Sequence, residues 1–154
     1  MAAHPLSKPT DNSAHARSAA RRLLVQALYQ RQMSGQPWQD LHHQFSADPA
    51  FRRADPEYFR IALEATCDDS VRLDDELRHH SDIDPARLDP VEHAILLLGI
   101  WELLARHDVP FRVVINEGVE LAKRFGATDG YRYVNAVLDK ASRVYRSVER
   151  GEVA

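Results

Sequence analysis

The residues with the clearest binding chemistry are basic and lie near the two ends of the chain. Arg17 and Arg21 are four residues apart in a helix-like segment, so their guanidinium groups are expected to project from the same side, with Gln26 following them. Arginine pairs bidentately with phosphate and stacks on unpaired bases, and a helix N-terminus adds backbone donors. The spacing indicates a site for a polyanion, although an ordinary solvated helix face has the same pattern.

A second group of basic residues alternates with aromatic residues in the last quarter of the chain. The alternation occurs in two short runs, Lys123, Arg124 and Phe125, then Tyr131, Arg132 and Tyr133. Such a mixture suits a single-stranded nucleic acid, whose bases stack on rings while cations neutralise its phosphates. Ordinary helix ends have a similar composition, so a structural role stays open.

The net charge of −3 conceals an uneven distribution. Residues 1–34 contain five basic residues and one acidic residue, residues 35–111 contain seven and sixteen, and residues 112–154 contain eight and six. Because the field at a surface follows local clustering rather than the total charge, the basic ends are expected to attract a polyanion. The acidic middle is expected to attract a basic partner.

Sequence motifs for catalysis are absent. The chain has no glycine-rich phosphate loop, no GxSxG or HExxH motif and one cysteine, Cys67. The histidines at 42–43 and 79–80 are adjacent, whereas metal ligands on one helix face are three or four residues apart, so solvated surface histidines are expected. These features predict a protein that is not an enzyme and binds no metal and no cofactor, with Cys67 as a structural thiol.

Length and hydropathy predict a single cytoplasmic domain. The longest strictly apolar run is residues 94–98, whereas a membrane span needs about 20 residues. Residues 1–12 contain no apolar block, so no secretory signal is expected. A chain of 154 residues is long enough to bury its own core. We therefore expect no membrane contact.

Helices explain nearly all of the periodic pattern. Asp-Pro pairs at 55–56, 84–85 and 89–90 combine a capping carboxylate with a proline at the first helical position. The helix expected from Pro90 to Arg106 is apolar nearly all round and is expected to be central. The sequence predicts an all-α fold of about seven helices in two small packed bundles, including one long helix from Pro56 through Leu77.

The expected domain boundaries follow these helices. We predict a flexible tail at 1–13, a single helical RNA-binding domain at 14–148 with bundles at about 14–80 and 84–148, and a C-terminal tail at 149–154. Asn116 and Asn135 interrupt apolar stripes, so buried hydrogen-bonded positions are expected for both.

Four stretches resemble the bacterial NusB family of transcription antitermination factors. They are residues 20–29 (ARRLLVQALY), 88–96 (LDPVEHAIL), 108–130 (DVPFRVVINEGVELAKRFGATDG) and 133–140 (YVNAVLDK). The resemblance covers about 14–145 in order. It implies a helical fold of two small bundles, no catalysis, and binding of boxA RNA from ribosomal RNA operons together with NusE, a small-subunit ribosomal protein. Other antitermination factors and RNA polymerase would be contacted indirectly.

The resemblance also implies site residues. The family's RNA-binding positions correspond to Arg17, Arg21, Arg22, Gln26, Lys123, Asp129, Arg132 and Tyr133. Family members often have consecutive arginines at the helix entry, whereas in this chain Ser18 and Ala19 stand between Arg17 and Arg21. Fewer cations release fewer counterions, which lowers the affinity expected for RNA without a partner.

Glu92 and Glu102 are the predicted contacts to NusE. They are ten residues apart on the helix that starts at Pro90, which places them on the same broad side, and they suit a basic partner. Two alternatives use the same fold. One is a protein-only adaptor or homodimer with an occluded RNA face. The other is an accessory domain in front of a ribosomal RNA cytosine methyltransferase, which needs a downstream catalytic domain that we do not expect.

Overall fold

The computed structural model describes residues 11–151, with side chains from Ser13 onward. Within this range the fold has no strands and consists of seven α-helices and two 3₁₀ helices. The α-helices are α1 (Asp11–Ser34), α2 (Trp38–Ser46), α3 (Pro56–Asp68), α4 (Ser70–Arg78), α5 (Pro90–Ala105), α6 (Phe111–Phe125) and α7 (Gly130–Tyr145). The prediction of an all-α fold is confirmed. None of the described helices is long and apolar enough to cross a membrane.

The aspartates before prolines begin helices as the sequence predicts. The Asp55 carboxylate accepts a hydrogen bond from the Tyr58 amide at 3.0 Å, and the Asp89 carboxylate accepts from the amides of Val91 and Glu92. Asp84 begins the 3₁₀ helix Pro85–Arg87 by accepting from an amide in the same way. Each carboxylate satisfies backbone donors that the first helical turn leaves free.

The long helix expected from Pro56 is two helices. α3 ends at Asp68, Asp69 has φ −99° and ψ 16°, and α4 begins at Ser70. Short polar side chains compete for backbone hydrogen bonds and lower helix propensity, and three such residues are consecutive here. The predicted tail boundary also moves, because residues 11–13 already belong to α1, whereas residues 1–10 lie outside the described range.

α5 is the central helix. It packs against α1, α3, α4, α6 and α7, and its segment from Ala94 to Leu103 is buried throughout. α1 packs on α2 and α3, while α6 and α7 pack on each other. The buried apolar side chains of all seven helices form one continuous cluster. A helix that is apolar nearly all round is therefore covered on most of its circumference, as its sequence predicts.

Two glycines let α5 and α6 approach the same side chain of α7. A Cβ atom at Gly99 of α5 would lie 2.7 Å from Leu138, and a Cβ at Gly118 of α6 would also lie 2.7 Å from Leu138. Both distances are shorter than carbon atoms tolerate. The Leu138 side chain therefore occupies space that exists because both facing positions lack a side chain.

A buried arginine fastens the end of α7 to the end of α5. Arg146 is 2% exposed, and its guanidinium donates to the carbonyl oxygens of Glu102, Leu103, Arg106 and Val109 at 2.8–3.0 Å. The last carbonyls of a helix have no partner within that helix. Arg146 supplies a donor to two carbonyls in the last turn of α5, those of Glu102 and Leu103, and to two in the loop that follows, those of Arg106 and Val109.

Candidate RNA-binding surface

Arg21 lies inside the protein instead of at its surface. Its side chain is paired with the carboxylate of Glu102 on α5, with Nε and Nη2 at 2.9–3.2 Å from the two oxygens, and both residues are 2% exposed. Tyr58 of α3 donates its hydroxyl to the same carboxylate. The prediction that Arg21 projects from the surface beside Arg17 is therefore wrong, because this helix face turns toward α5.

The charges of this buried group stabilise one another. Burial lowers the pKa of Arg21, but the adjacent Glu102 charge outweighs burial and raises that pKa above its ordinary value. Burial and the same carboxylate raise the pKa of Tyr58, which keeps its hydroxyl protonated as a donor. Arg21, Glu102 and Tyr58 thus join α1, α5 and α3 through one ionic cluster.

Arg17 is at the edge of that cluster. Its guanidinium is 3.0 Å from the Asp108 carboxylate and 4.7 Å from the centre of the Tyr58 ring. Arg106 contacts the same carboxylate at 3.0 Å. Burial raises the pKa of Asp108, yet the two arginines outweigh it and lower the pKa below its ordinary value. Arg17 is already neutralised, so less of its charge is available to a phosphate.

Arg22, one residue after the buried Arg21, faces a cleft between α1 and α6. The cleft has a volume of about 700 Å³ and is lined mainly by polar side chains. We call it the α1–α6 cleft, and its polar lining comprises His15, Ser18, Arg22, Asn116, Glu117, Glu120, Lys123 and Arg124. It brings the start of α1 and the end of α6, two regions that the sequence marks as basic, to one face.

Asn116 and Asn135 are exposed, so the prediction that they are buried is wrong. Asn116 lines the α1–α6 cleft, where its amide can donate to and accept from a ligand. Asn116 and Arg124 both line the cleft, and neither is among the RNA-binding residues predicted from the sequence. The one available signal for Arg124 was its position next to Lys123.

At the start of α7, the aromatic ring among the cations is Tyr131. Lys123 Nζ is 5.0 Å and the Arg132 guanidinium carbon 5.8 Å from the centre of this ring. Asp129, at φ 65° and ψ 0°, places its carboxylate 3.8 Å from Arg132 Nε. Tyr131 and Tyr133 are both half-buried and pack against the core, but the hydroxyl of Tyr133 also shares a hydrogen bond with Ser81. The geometry therefore favours Tyr131 over Tyr133 as the ring that a base could reach.

The two predicted partner carboxylates do not share an exposed face. Glu102 is buried with Arg21, and Glu92 is 8% exposed, with its carboxylate against Gly130, where a Cβ would lie 2.5 Å from Oε1. Burial and the neighbouring Asp89 raise the pKa of Glu92. The prediction that both lie on one accessible side of α5 is wrong, because α5 is enclosed on that side. The burial of Glu102 removes it from the predicted partner contacts. The partner contact of Glu92 stays a prediction.

The histidines and the cysteine form no metal site within residues 13–151. His80 is buried and bonded to the Tyr145 hydroxyl at 2.9 Å, so its predicted surface position is wrong. Burial, and then the charges of His79 and Lys140, lower the pKa of His80. Cys67 is buried, and burial raises the pKa of its thiol to about 11, as a structural role requires.

Comparison with known proteins assigns this chain to a family. A model of the NusB family matches residues 18–143. The transcription antitermination protein NusB of Alcanivorax borkumensis is 48% identical over 137 residues, which cover 89% of this chain and 91% of that protein. The protein of the same name from Pseudomonas syringae pv. tomato is 47% identical over 133 residues, which cover 86% and 81%.

The fold agrees with this assignment. A solved structure of T. maritima NusB superposes with a TM-score of 0.75 at 26% sequence identity, covering 89% of this chain and 97% of that one. The matched residues span all seven helices, and they include Arg22, Lys123 and Tyr131 at the basic face. The chain belongs to the NusB family.

Proposed function

We propose that this protein is a noncatalytic transcription antitermination factor that binds boxA RNA of ribosomal RNA operon transcripts together with NusE. The names of its relatives support the role in antitermination. The observation that supports RNA binding most directly is the α1–α6 cleft, where Arg22 and Arg124 form no ion pair with any described residue and line an open surface. Unneutralised arginines on an open surface favour a polyanionic ligand.

Each part of the basic face has a role in this proposal. Arg22 and Arg124 contact phosphates, and Asn116 hydrogen-bonds a base edge or ribose hydroxyl. Tyr131, held between Lys123 and Arg132, provides a ring on which an unpaired base stacks. Asp129 positions Arg132 rather than contacting the anion itself.

A separate apolar groove is the proposed surface for NusE. It lies between the C-terminal half of α1 and the start of α5, where Tyr29 is 41% and Met33 58% exposed. The rest of its lining is Val25, Gln26, Gln30, Phe45, Val91 and Phe125. Exposed apolar surface bordered by polar residues is typical of protein interfaces. Glu92 follows Val91, but its carboxylate lies against Gly130 outside the groove lining, so its contact with NusE stays a prediction. Because the α1–α6 cleft is on the N-terminal half of α1 and shares no lining residue with the groove, a ligand in the cleft leaves the groove open to NusE.

Salt titration of the affinity for a boxA-like RNA, with and without NusE, tests the proposal. Three or four phosphate contacts from Arg22, Lys123, Arg124 and Arg132 predict a slope of roughly −2 to −3 for log affinity against log salt concentration. Arg22→Ala should reduce the slope by about 0.7. Arg60→Ala is the matched control, because Arg60 is exposed on α3 beside Glu64 and outside the cleft. An affinity that does not change with salt would contradict the proposal.

The apolar groove also favours a second candidate, a protein-only adaptor or homodimer with an occluded RNA face. Molar mass measured by light scattering, with and without RNA, separates the two. A monomer that binds RNA supports the first proposal. A dimer whose mass and retention do not change when RNA is added supports the second.

A further inference from the structure

We propose that single-stranded RNA leaving the α1–α6 cleft continues into a second basic groove, so that nucleotides flanking the boxA element add to binding. The groove lies between α1, the end of α6 and the 3₁₀ helix Pro49–Arg53, and we call it the flanking groove. Its polar lining is Arg22, Gln26, Arg53 and Arg124. The inference deepens the proposed function and rests on it.

The charge of the flanking groove is not neutralised by the protein. Its lining includes three arginines and no acidic residue, and within residues 13–151 none of the three forms an ion pair. The α1–α6 cleft differs, because Glu117 and Glu120 line it and Glu120 is 3.7 Å from Lys123 Nζ. Per cation, the flanking groove therefore favours a phosphate more strongly than the cleft does.

The two sites are continuous. Arg22 and Arg124 line both, so a strand that contacts these guanidinium groups in the cleft is already at the entrance of the groove. Binding of the next nucleotides is then intramolecular and benefits from a high effective concentration. A continuous single strand, with one phosphate per nucleotide, fits this arrangement better than a separate small anion.

The wall that carries Arg53 is fixed to α1. The Asp55 amide donates to the Ala16 carbonyl at 3.0 Å, and the Asp48 carboxylate accepts from the Ala50 amide at 2.8 Å at the start of the 3₁₀ helix. Arg53 itself is exposed and precedes Ala54, which is buried. The backbone that positions Arg53 is therefore held without using its guanidinium group, which is left to the ligand.

The test compares two RNAs bound to the full chain. One is a short boxA-like strand, and the other is the same strand extended by about six uridines at its 5′ or 3′ end. For the natural sequence, one of the two extensions should tighten binding about threefold or more and steepen the salt slope by about 0.7 to 1.4, which corresponds to one or two added phosphate contacts.

Arg53→Ala should remove this gain while leaving the affinity for the short strand unchanged, and Arg53→Glu should make the extension unfavourable. Arg52→Ala is the matched control, because Arg52 is an exposed neighbour on the same 3₁₀ helix and does not line the groove. Circular dichroism of each variant checks folding.

Three outcomes separate the possibilities. If the short strand binds and neither extension helps, the flanking groove is not an RNA site and the proposed function stands. The same conclusion follows if Arg53→Ala keeps the gain, or if Arg52→Ala loses as much. If the short strand does not bind at all, the proposed function fails and this inference fails with it.

Discussion

Arg21 and Arg22 are adjacent in sequence and have opposite environments. Arg21 is 2% exposed and shares the carboxylate of Glu102 with Tyr58. Arg22 lines both the α1–α6 cleft and the flanking groove and forms no ion pair with the described residues. Neighbouring helical residues diverge by about 100°. One step along α1 therefore separates an arginine that stabilises the fold from an arginine that is available to RNA.

Arg146 extends the comparison to a second kind of buried arginine. Arg21 is paired with the buried carboxylate of Glu102, whereas Arg146 donates to four backbone carbonyls at and just beyond the end of α5 and is also paired with the exposed carboxylate of Glu149. A helix C-terminus carries partial negative charge, so a cation there is favourable. The two arginines fasten α1 and α7 to the same helix by different chemistry.

The largest effect is expected from Arg21→Ala. Removing the cation leaves Glu102 buried without a counterion, which should lower the free energy of unfolding by about 3–5 kcal/mol in urea denaturation. Arg22→Ala is the matched control and should change stability by less than about 0.5 kcal/mol. The double variant Arg21→Met/Glu102→Leu should cost less than the sum of its parts, because no unpaired charge remains. Equal stability of the two alanine variants would remove the contrast between these neighbours.

Arg146→Met is expected to have the next largest effect. The substitution keeps much of the buried volume but leaves carbonyls near the end of α5 without donors, at a cost of about 2–3 kcal/mol. The free energy of unfolding in urea measures it, and Arg143→Met on the exposed side of α7 is the control. A loss below about 0.5 kcal/mol would mean that water replaces the guanidinium at these carbonyls.

A third prediction contrasts the roles of Tyr131 and Tyr133, as the first prediction contrasts the roles of Arg21 and Arg22. Tyr131→Ala should weaken RNA binding by about 1–3 kcal/mol, because the ring lies among cations. Tyr133→Ala should lower stability and leave RNA binding nearly unchanged, because its hydroxyl is bonded to Ser81 and no cation lies over its ring among the described residues. Fluorescence anisotropy with RNA and thermal unfolding measure the two quantities. The reverse result would restore the stacking role that the sequence assigns to Tyr133.

The smallest effect is expected from the titration of His80, a buried side chain with little compensating charge nearby. Burial lowers the pKa of His80 in the folded state, so its contribution to stability is complete above the unfolded pKa and decreases as the pH falls below about 6.5. Between about pH 7.5 and pH 5.5, the native protein should lose up to about 1 kcal/mol more than His80→Gln, whose amide keeps a donor for Tyr145. Identical pH profiles for the two proteins would show that His80 takes up a proton as readily in the folded state as in the unfolded state, which would contradict the lowered pKa.

The sequence contains a signal for the burial of Arg21. Arg21 precedes Leu24, Val25 and Leu28 by three, four and seven residues, so it lies on the apolar face of α1. Glu102 is likewise inside a helix that is apolar nearly all round. Two opposite charges in two apolar faces indicate a buried pair.

Other features depend on how the helices pack together, and short stretches of the sequence do not determine that packing. The aspartate caps before prolines and the bounds of α5 follow from local chemistry and were predictable. The meeting of Arg53 with Arg22 and Arg124 depends on how the 3₁₀ helix crosses α1, and residues 22 and 124 are about a hundred positions apart. The exposure of Asn116 depends on which face of α6 the neighbouring helices cover.

The contact of Gly99 and Gly118 with Leu138 constrains how this chain can change over time. A side chain gained at either glycine requires a smaller residue at 138, and a smaller residue at 138 opens a cavity that only a gain at 99 or 118 refills. Single substitutions at these three positions are expected to be unfavourable, whereas a pair that gains at a glycine the volume lost at Leu138, such as Gly99→Ala with Leu138→Val, is expected to be tolerated better. The three sites are therefore expected to vary together among relatives or not at all, and their joint variation would record how closely α5, α6 and α7 pack.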